Sequence, residues 1–313
     1  MLQQRFALHP KINWLPTFLA LFLVLYIGQF DVQPSQAGGN VLRTVCQSGS
    51  TPCDFTTIQA AIDGSDNGDI LEFPENKETY EETITINKSL TFVGQTTAIN
   101  AQSFNGVTAV SISNDATVVM QNFIVQNGSG SDGAGISLNS GNLTLTNVSL
   151  SGNDATGDGG ALFVSNSSSA TFTDVTMQDN TAVDSGGAIF NNGTINVTDI
   201  SLTDNSATTG GGIHNSGILI IETQSDMQRN IASQNGGGLF NDVGGEVTIT
   251  DMDISKNEAA DGAALYNTGT LQVNNTNIRN GNLASQNGGG LFNSDSGQAT
   301  LLSSTVVQND GPT

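Results

Sequence analysis

Cations are scarce in this chain: 8 lysines and arginines stand against 29 aspartates and glutamates in 313 residues, a formal net charge of −21. A phosphate-binding surface needs clustered Lys and Arg, so nucleic acid is not expected as a partner. Polyanionic sugars are repelled too, unless cations bridge them. A charge of this size mostly serves solubility. Histidine is scarcer still, with 2 in the chain, and general acid/base chemistry is thereby short of its commonest group. Only 2 cysteines occur, Cys46 and Cys53. In an exported chain such a close pair forms a small disulfide stapling an N-terminal loop, whereas two thiols with no nearby histidine are too few for a closed zinc site. Helical periodicity is also missing from almost the whole chain, as is the L-x-x-L-x-L pattern of leucine-rich repeats.

What is present is a repeat. The stretch Ser185–Ala207 opens on Gly186-Gly-Ala-Ile-Phe-Asn191, and related openings begin at Gly133, Gly159, Gly210, Gly236, Gly262 and Gly288, at spacings of 26, 27, 24, 26, 26 and 26 residues. After each opening come an Asn/Gly turn, period-two alternation as in Thr194-Ile-Asn-Val-Thr198, a break at Asp199, and further alternation to Asn205. Three short strands with corners fit this pattern, and each unit buries its apolar face only by stacking on its neighbours. The fold class is therefore all-β, a right-handed parallel β-helix. Its hand follows from the rule for parallel crossovers.

A second row supports the stack independently. Asn127, Asn153, Asn180, Asn205, Asn230, Asn257, Asn282 and Asn309 recur every 25 to 27 residues. At a coil spacing of about 4.8 Å, identical amides can donate to one neighbouring coil while accepting from the other. This row is expected to line one corner as a structural ladder; the rival reading is a polar binding row.

The Gly-Gly-Ala-Ile or Gly-Gly-Gly-Leu openings, with the aliphatic-x-x-Asn close, resemble the repeats of polymorphic outer-membrane proteins, which are pectate-lyase-like β-helices. The close usually reads Phe-x-x-Asn in that family; here its first position holds Leu150, Met177, Leu202, Met227 or Ile254. The resemblance covers roughly residues 69–313. It implies the β-helix fold, and its short motifs are more specific for fold than for function.

In chain order, residues 1–37 read as a secretion signal: Arg5 and Lys11, an apolar run from Trp14 to Phe30, and Ser35-Gln-Ala37 as a cleavage site. The run also reaches the lower limit for an uncleaved membrane anchor. Removing it takes away Arg5, Lys11 and Asp31, leaving 28 acidic and 6 basic residues, a net of −22. Residues 38–313 then form one domain, with an N-terminal cap over 38–68 and about nine coils of 26 residues over 69–313. Within the cap, Phe55–Gly64 predicts a short amphipathic helix. Tyr80 and Glu82 echo a pectin methylesterase motif whose glycine is replaced by Glu78, and they are read as architecture. The last coil is expected to leave an open end that a partner or a missing segment would cover.

Several residue sets can carry chemistry. Phe163, Phe190, Phe240, Tyr266 and Phe292 recur after the first glycine, with His214 in the same slot; they predict interior or corner packing, or a sugar-stacking platform if they face outward. Asp132, Asp158 and Asp261 precede repeat glycines, where Asx is ordinary turn chemistry but stacked oxygens can also hold Ca²⁺. Arg229, Lys256 and Arg279, with Asp226 and Asp253 nearby, form the best enzyme case, because lyases of this fold use Arg or Lys as base on a uronic-acid polymer. A stripe of cations neutralised by acidic neighbours is the plainer reading. The catalytic sets of polygalacturonases and pectin methylesterases are absent. The expectation is a protein that binds glycans or other cell-surface components without turning them over, with a polysaccharide lyase or hydrolase and a structural spacer as the alternatives.

Overall fold

The computed structural model describes residues 40–47 and 53–311; the segment read as a secretion signal lies outside them. The described chain is an all-β parallel solenoid with one short helix. Three sheets run along it, of sixteen, nine and six strands. The largest, the long sheet, is built from strands such as Asn142–Ser151, Ser169–Gln178 and Thr194–Thr203. The second holds strands of three residues, such as Leu162–Val164, Ile189–Asn191 and Ile213–Asn215. The third is a corner sheet from Asp154–Ala155 to Leu283–Asn287. Pairing is parallel and residue to residue, so equivalent positions of successive repeats stand one above another.

The three-residue sheet contributes one strand to each of nine coils, from Ile84–Ile86 to Leu291–Asn293. The long sheet continues two strands beyond it, Ile70–Glu72 and Leu42–Thr44, making about ten turns where nine were expected. Part of the segment assigned to the cap is therefore a strand of the solenoid.

Alternation explains the long strands. In Thr194–Thr203, Ile195, Val197, Ile200 and Leu202 are buried, with polar residues between them facing out. The alternation changes parity at Asp199, whose φ of 79° bends the strand so that both halves keep their apolar side chains inside. Asn122, Asn147, Asp174 and Asp251 repeat the bend at φ of 61°, 52°, 55° and 58°. Asn and Asp tolerate left-handed angles better than other non-glycine residues.

The glycine pair has two separate causes. Gly186 sits at φ 69°. A Cβ on Gly187 would lie 2.2 Å from the carbonyl oxygen of Gly211 in the next coil, so the second glycine permits close stacking rather than an unusual backbone.

The expected asparagine ladder is present from Asn153 onward. The Nδ2 of Asn153 donates to Oδ1 of Asn180 at 2.9 Å, and the chain of bonds continues through Asn205, Asn230, Asn257, Asn282 and Asn309 at 2.7 to 3.0 Å. Asn153 through Asn282 are fully buried. Asn127 is a correction: it stands one position earlier, its Nδ2 donates to Asn100, and Gly128 fills its ladder slot, donating its N–H to Asn153 Oδ1.

A second ladder runs through the opening motif. Asn191, Asn215, Asn241, Asn267 and Asn293 link Nδ2 to Oδ1 at 2.7, 3.0, 2.8 and 2.7 Å. Among the described residues, every side-chain nitrogen and oxygen atom that is fully buried has a hydrogen-bond partner, which is what stacking amides inside an apolar core requires.

The cap is held by matched charges. The helix is Ile58–Asp63, with Thr57 as its N-cap. Glu82 accepts the backbone N–H of Ile58 at 2.8 Å and of Gln59 at 3.1 Å, while Lys88 donates to the carbonyls of Ile62, Asp63 and Ser65. An anion at the N-terminus and a cation at the C-terminus complement the orphan backbone groups. Tyr80 is buried, and its hydroxyl donates to Glu78 at 2.7 Å, so Tyr80 and Glu82 are architecture here. Cys46 and Cys53 are joined as a disulfide.

Candidate interaction flank

The outer surface is organised in columns, because in-register stacking repeats each outward slot coil after coil. Four columns contain the residues singled out from sequence.

The aromatic column lies on the outer face of the three-residue sheet, contrary to the interior packing expected. In Leu162–Val164 the flanking Leu162 and Val164 are buried and Phe163 is half-buried. From Phe163 through Phe190, His214, Phe240 and Tyr266 to Phe292, successive ring centroids are 5.5, 4.9, 4.8, 5.1 and 4.9 Å apart, and the planes lie within 20° of parallel. Each interior ring spends both faces on its neighbours and turns an edge outward. A sugar stacks on a ring face, so the column is not a stacking platform; it is a π ladder that holds register.

His214 occupies the middle of that column. Thr209 Oγ1 is 3.1 Å from its Nδ1, Ser216 Oγ is 3.4 Å from its Nε2, and Asp242 lies 3.8 Å away. Burial lowers its pKa to about 4, against the opposing pull of Asp242. At neutral pH the ring is a neutral member of the stack.

The acidic slot before each first glycine does not converge. Asp132 and Asp158 are neighbours: Asp132 Oδ1 accepts the backbone N–H of Asp158 at 3.0 Å. Burial, then the charges of Asp132 and Asp184, push the Asp158 carboxyl above the usual range. Asp261 stands four coils further along, about 19 Å at the usual strand spacing, where Asn287 donates to it at 2.7 Å. The three candidates therefore do not share one coordination sphere.

The cations are also split. Arg229 and Lys256 occupy equivalent left-handed corners, at φ 54° and 57°, directly before Asn230 and Asn257. Asn280, at φ 58°, fills that slot in the next coil, Arg279 stands one position before it, and Gly281 is an extra residue ahead of Asn282. Arg229 makes two 2.8 Å bonds to Asp204 of the preceding coil, and Arg279 binds Asp253 at 2.8 Å. The Arg229 guanidinium holds Asp204 below the ordinary carboxylate range. Asp226 is engaged by Gln228 at 2.7 Å. Both arginines are thus neutralised by aspartates, the arrangement of a paired surface stripe.

The fourth column is the bend of the long sheet, which makes a shallow groove along the coils. One stretch, of about 200 Å³, is lined by Asn122, Asn147, Asp174 and Thr176; another, of about 620 Å³, by Asp226, Asp251, Asp253 and Asn275. Burial, then Asp174 and Asp226, raise the pKa of Asp199 in this column.

Residues 174–192 match the Chlamydia polymorphic membrane protein (Chlamydia_PMP) repeat. No curated protein matches the chain. The matched window runs from the bend at Asp174 through the Asn180 rung and the Gly186-Gly187 pair to the Asn191 rung, and so holds one rung of each ladder. The chain is a parallel β-helix protein carrying repeats like those of the polymorphic membrane proteins.

Proposed function

We propose that this is a non-catalytic, exported surface protein that works through weak contacts repeated along its columns, adhesin-like towards glycans or other cell-surface components. The observation that carries this reading is the spacing of equivalent outward side chains in register over successive coils. Contacts too weak to matter singly add across such a row, because each engaged coil raises the effective concentration of the next. The matched repeat supports a surface location. The signal read in residues 1–37 is part of the proposal.

The rival is a uronan lyase using Arg229, Lys256 or Arg279 as base. The bonds of the two arginines to Asp204 and Asp253 favour the binding reading, since a base must reach substrate with its basic form accessible. Binding of the full chain to cells and a glycan array is measured beside lyase and hydrolase assays on pectate and alginate, with and without Ca²⁺. Binding without product is expected. Unsaturated or reducing products that disappear in Arg279→Ala or Lys256→Ala, with the fold intact, would establish the enzyme; neither binding nor products would leave a spacer.

A further inference from the structure

On the long sheet, one part of the outer face carries no charge over three successive coils. Thr144 and Thr146, Thr171 and Thr173, and Asn196 and Thr198 stand in register over three successive coils. The preceding coil adds Val119 and Gln121 in the same slots. No charged residue occupies these eight positions in a chain of net charge −21. Carboxylates border the patch at Asp174 and Asp199 along the bend, and Glu222 follows Thr198 in register. Among the described residues, the six side chains from Thr144 to Thr198 make no hydrogen bond within the protein, and Thr171, Thr173, Asn196 and Thr198 are exposed. Leu145, Phe172 and Val197 lie buried beneath them, fixing the strands on the core.

We propose that this patch is a binding face for an uncharged, extended polysaccharide, laid flat across the coils; this rests on the surface-binding reading above and names its ligand class. Coil spacing sets the groups about 4.8 Å apart along the solenoid and residue rise about 6.7 Å apart along the strand, so the free groups form a lattice about 10 Å across. Each threonine offers a methyl and a hydroxyl side by side, which suits a sugar's C–H bonds and hydroxyls. A purely apolar partner would strand the hydroxyls without water. A polyanionic glycan meets Asp174, Asp199 and Glu222 at the border, and a cationic ligand gains more from the acidic columns elsewhere. Charge thus selects a neutral ligand for this patch.

The full chain is tested for pull-down on insoluble cellulose, for retardation in gels containing soluble neutral β-glucan or polygalacturonate, and for arrest of growing ice crystals, since a hydroxyl lattice could also order water. The variants are the triple Thr144→Val, Thr171→Val, Thr198→Val, which keeps shape and strand preference while removing hydroxyls, and Asn196→Asp, which adds one carboxylate without bulk. Neutral glucan binding that falls at least tenfold in either variant, with unchanged circular dichroism, is expected. Binding equal to wild type in both variants, binding of polygalacturonate alone, or ice arrest without glucan binding overturns the assignment. Binding to cells with no affinity for any neutral glucan sinks this inference while leaving the surface-binding reading standing; failure on every cell and glycan surface removes the reading itself.

Discussion

Replacing Asn205 by leucine removes a residue with four side-chain hydrogen bonds and no exposure. Its Nδ2 donates to Asn230 Oδ1 at 2.9 Å and to the Met177 carbonyl at 3.0 Å. Its Oδ1 accepts both Nδ2 and the backbone N–H of Asn180, each at 3.0 Å. Leucine keeps the branched side-chain shape with bulkier methyls, so no cavity opens and the cost is the lost polar bonds plus some crowding. Asn180 loses the partner of its backbone N–H and one of the two partners of its Nδ2, while Asn230 Oδ1 keeps the Asn205 backbone N–H at 3.1 Å. Two stranded donors at about 1–3 kcal/mol each give a loss of about 2–6 kcal/mol. For a domain of this size that lowers the melting temperature by on the order of 10 °C. The comparison is Thr198→Val, at an exposed position without a hydrogen-bond partner among the described residues, which should change stability by under about 0.5 kcal/mol. Melting followed by far-ultraviolet circular dichroism decides between them. Equal melting temperatures would refute the claim that the buried amides hold the coils together.

Gly187→Ala puts a methyl 2.2 Å from the Gly211 carbonyl oxygen, whereas Gly106→Ala has only its φ of 71° against it and open space around; the first should shift the urea midpoint by far more than the second. His214→Phe should flatten the pH dependence of stability between about pH 4 and 6.5. The folded-state pKa is depressed to about 4 from 6.5, so the stabilisation from the neutral ring is complete above the unfolded value and is lost as pH falls towards the folded one, by up to about 3 kcal/mol. Paired melts of wild type and variant across that window test it; parallel curves would show that His214 is not a buried neutral ring. Asp204→Asn breaks an ion pair in which the Arg229 and Asp204 side chains are 47% and 34% exposed, and denaturant titration should show a loss of under about 1 kcal/mol.

The fold was legible because stacking writes itself into sequence as a period. Glycine, which cannot be replaced where coils nearly touch, and asparagine, whose amide repeats its own bonding pattern, recur at nearly constant spacing. The second ladder, Asn191 to Asn293, was equally periodic, but its residues sat inside the glycine motif and read as part of a turn. The outward aromatic column was harder to place. In Leu162-Phe163-Val164 all three residues are apolar, so parity is not written in the sequence. In Ile213-His214-Asn215 all three residues are buried, and the inward slot two positions after Ile213 holds the amide, whose bonds to Asn191 and Asn241 outweigh its polarity. Among the candidate site residues, period alone could not distinguish a column from a cluster. Asp261 shares a slot with Asp158 but lies coils away, and strand register places Arg279 opposite Ser255, one position before the slot of Arg229 and Lys256. The neutral threonine patch needed strand pairing to be seen, since Thr is common all along the chain.

The central claim is a stack of coils locked by two internal amide columns, and hydrogen exchange of the asparagine side chains tests it most directly. After transfer to deuterium oxide, the Nδ2 protons of Asn180, Asn205, Asn230 and Asn257, all buried and bonded on both sides, should persist in heteronuclear spectra long after those of exposed Asn166 have vanished. Loss of both sets at the same rate would contradict the ladder and the parallel stack it holds in register.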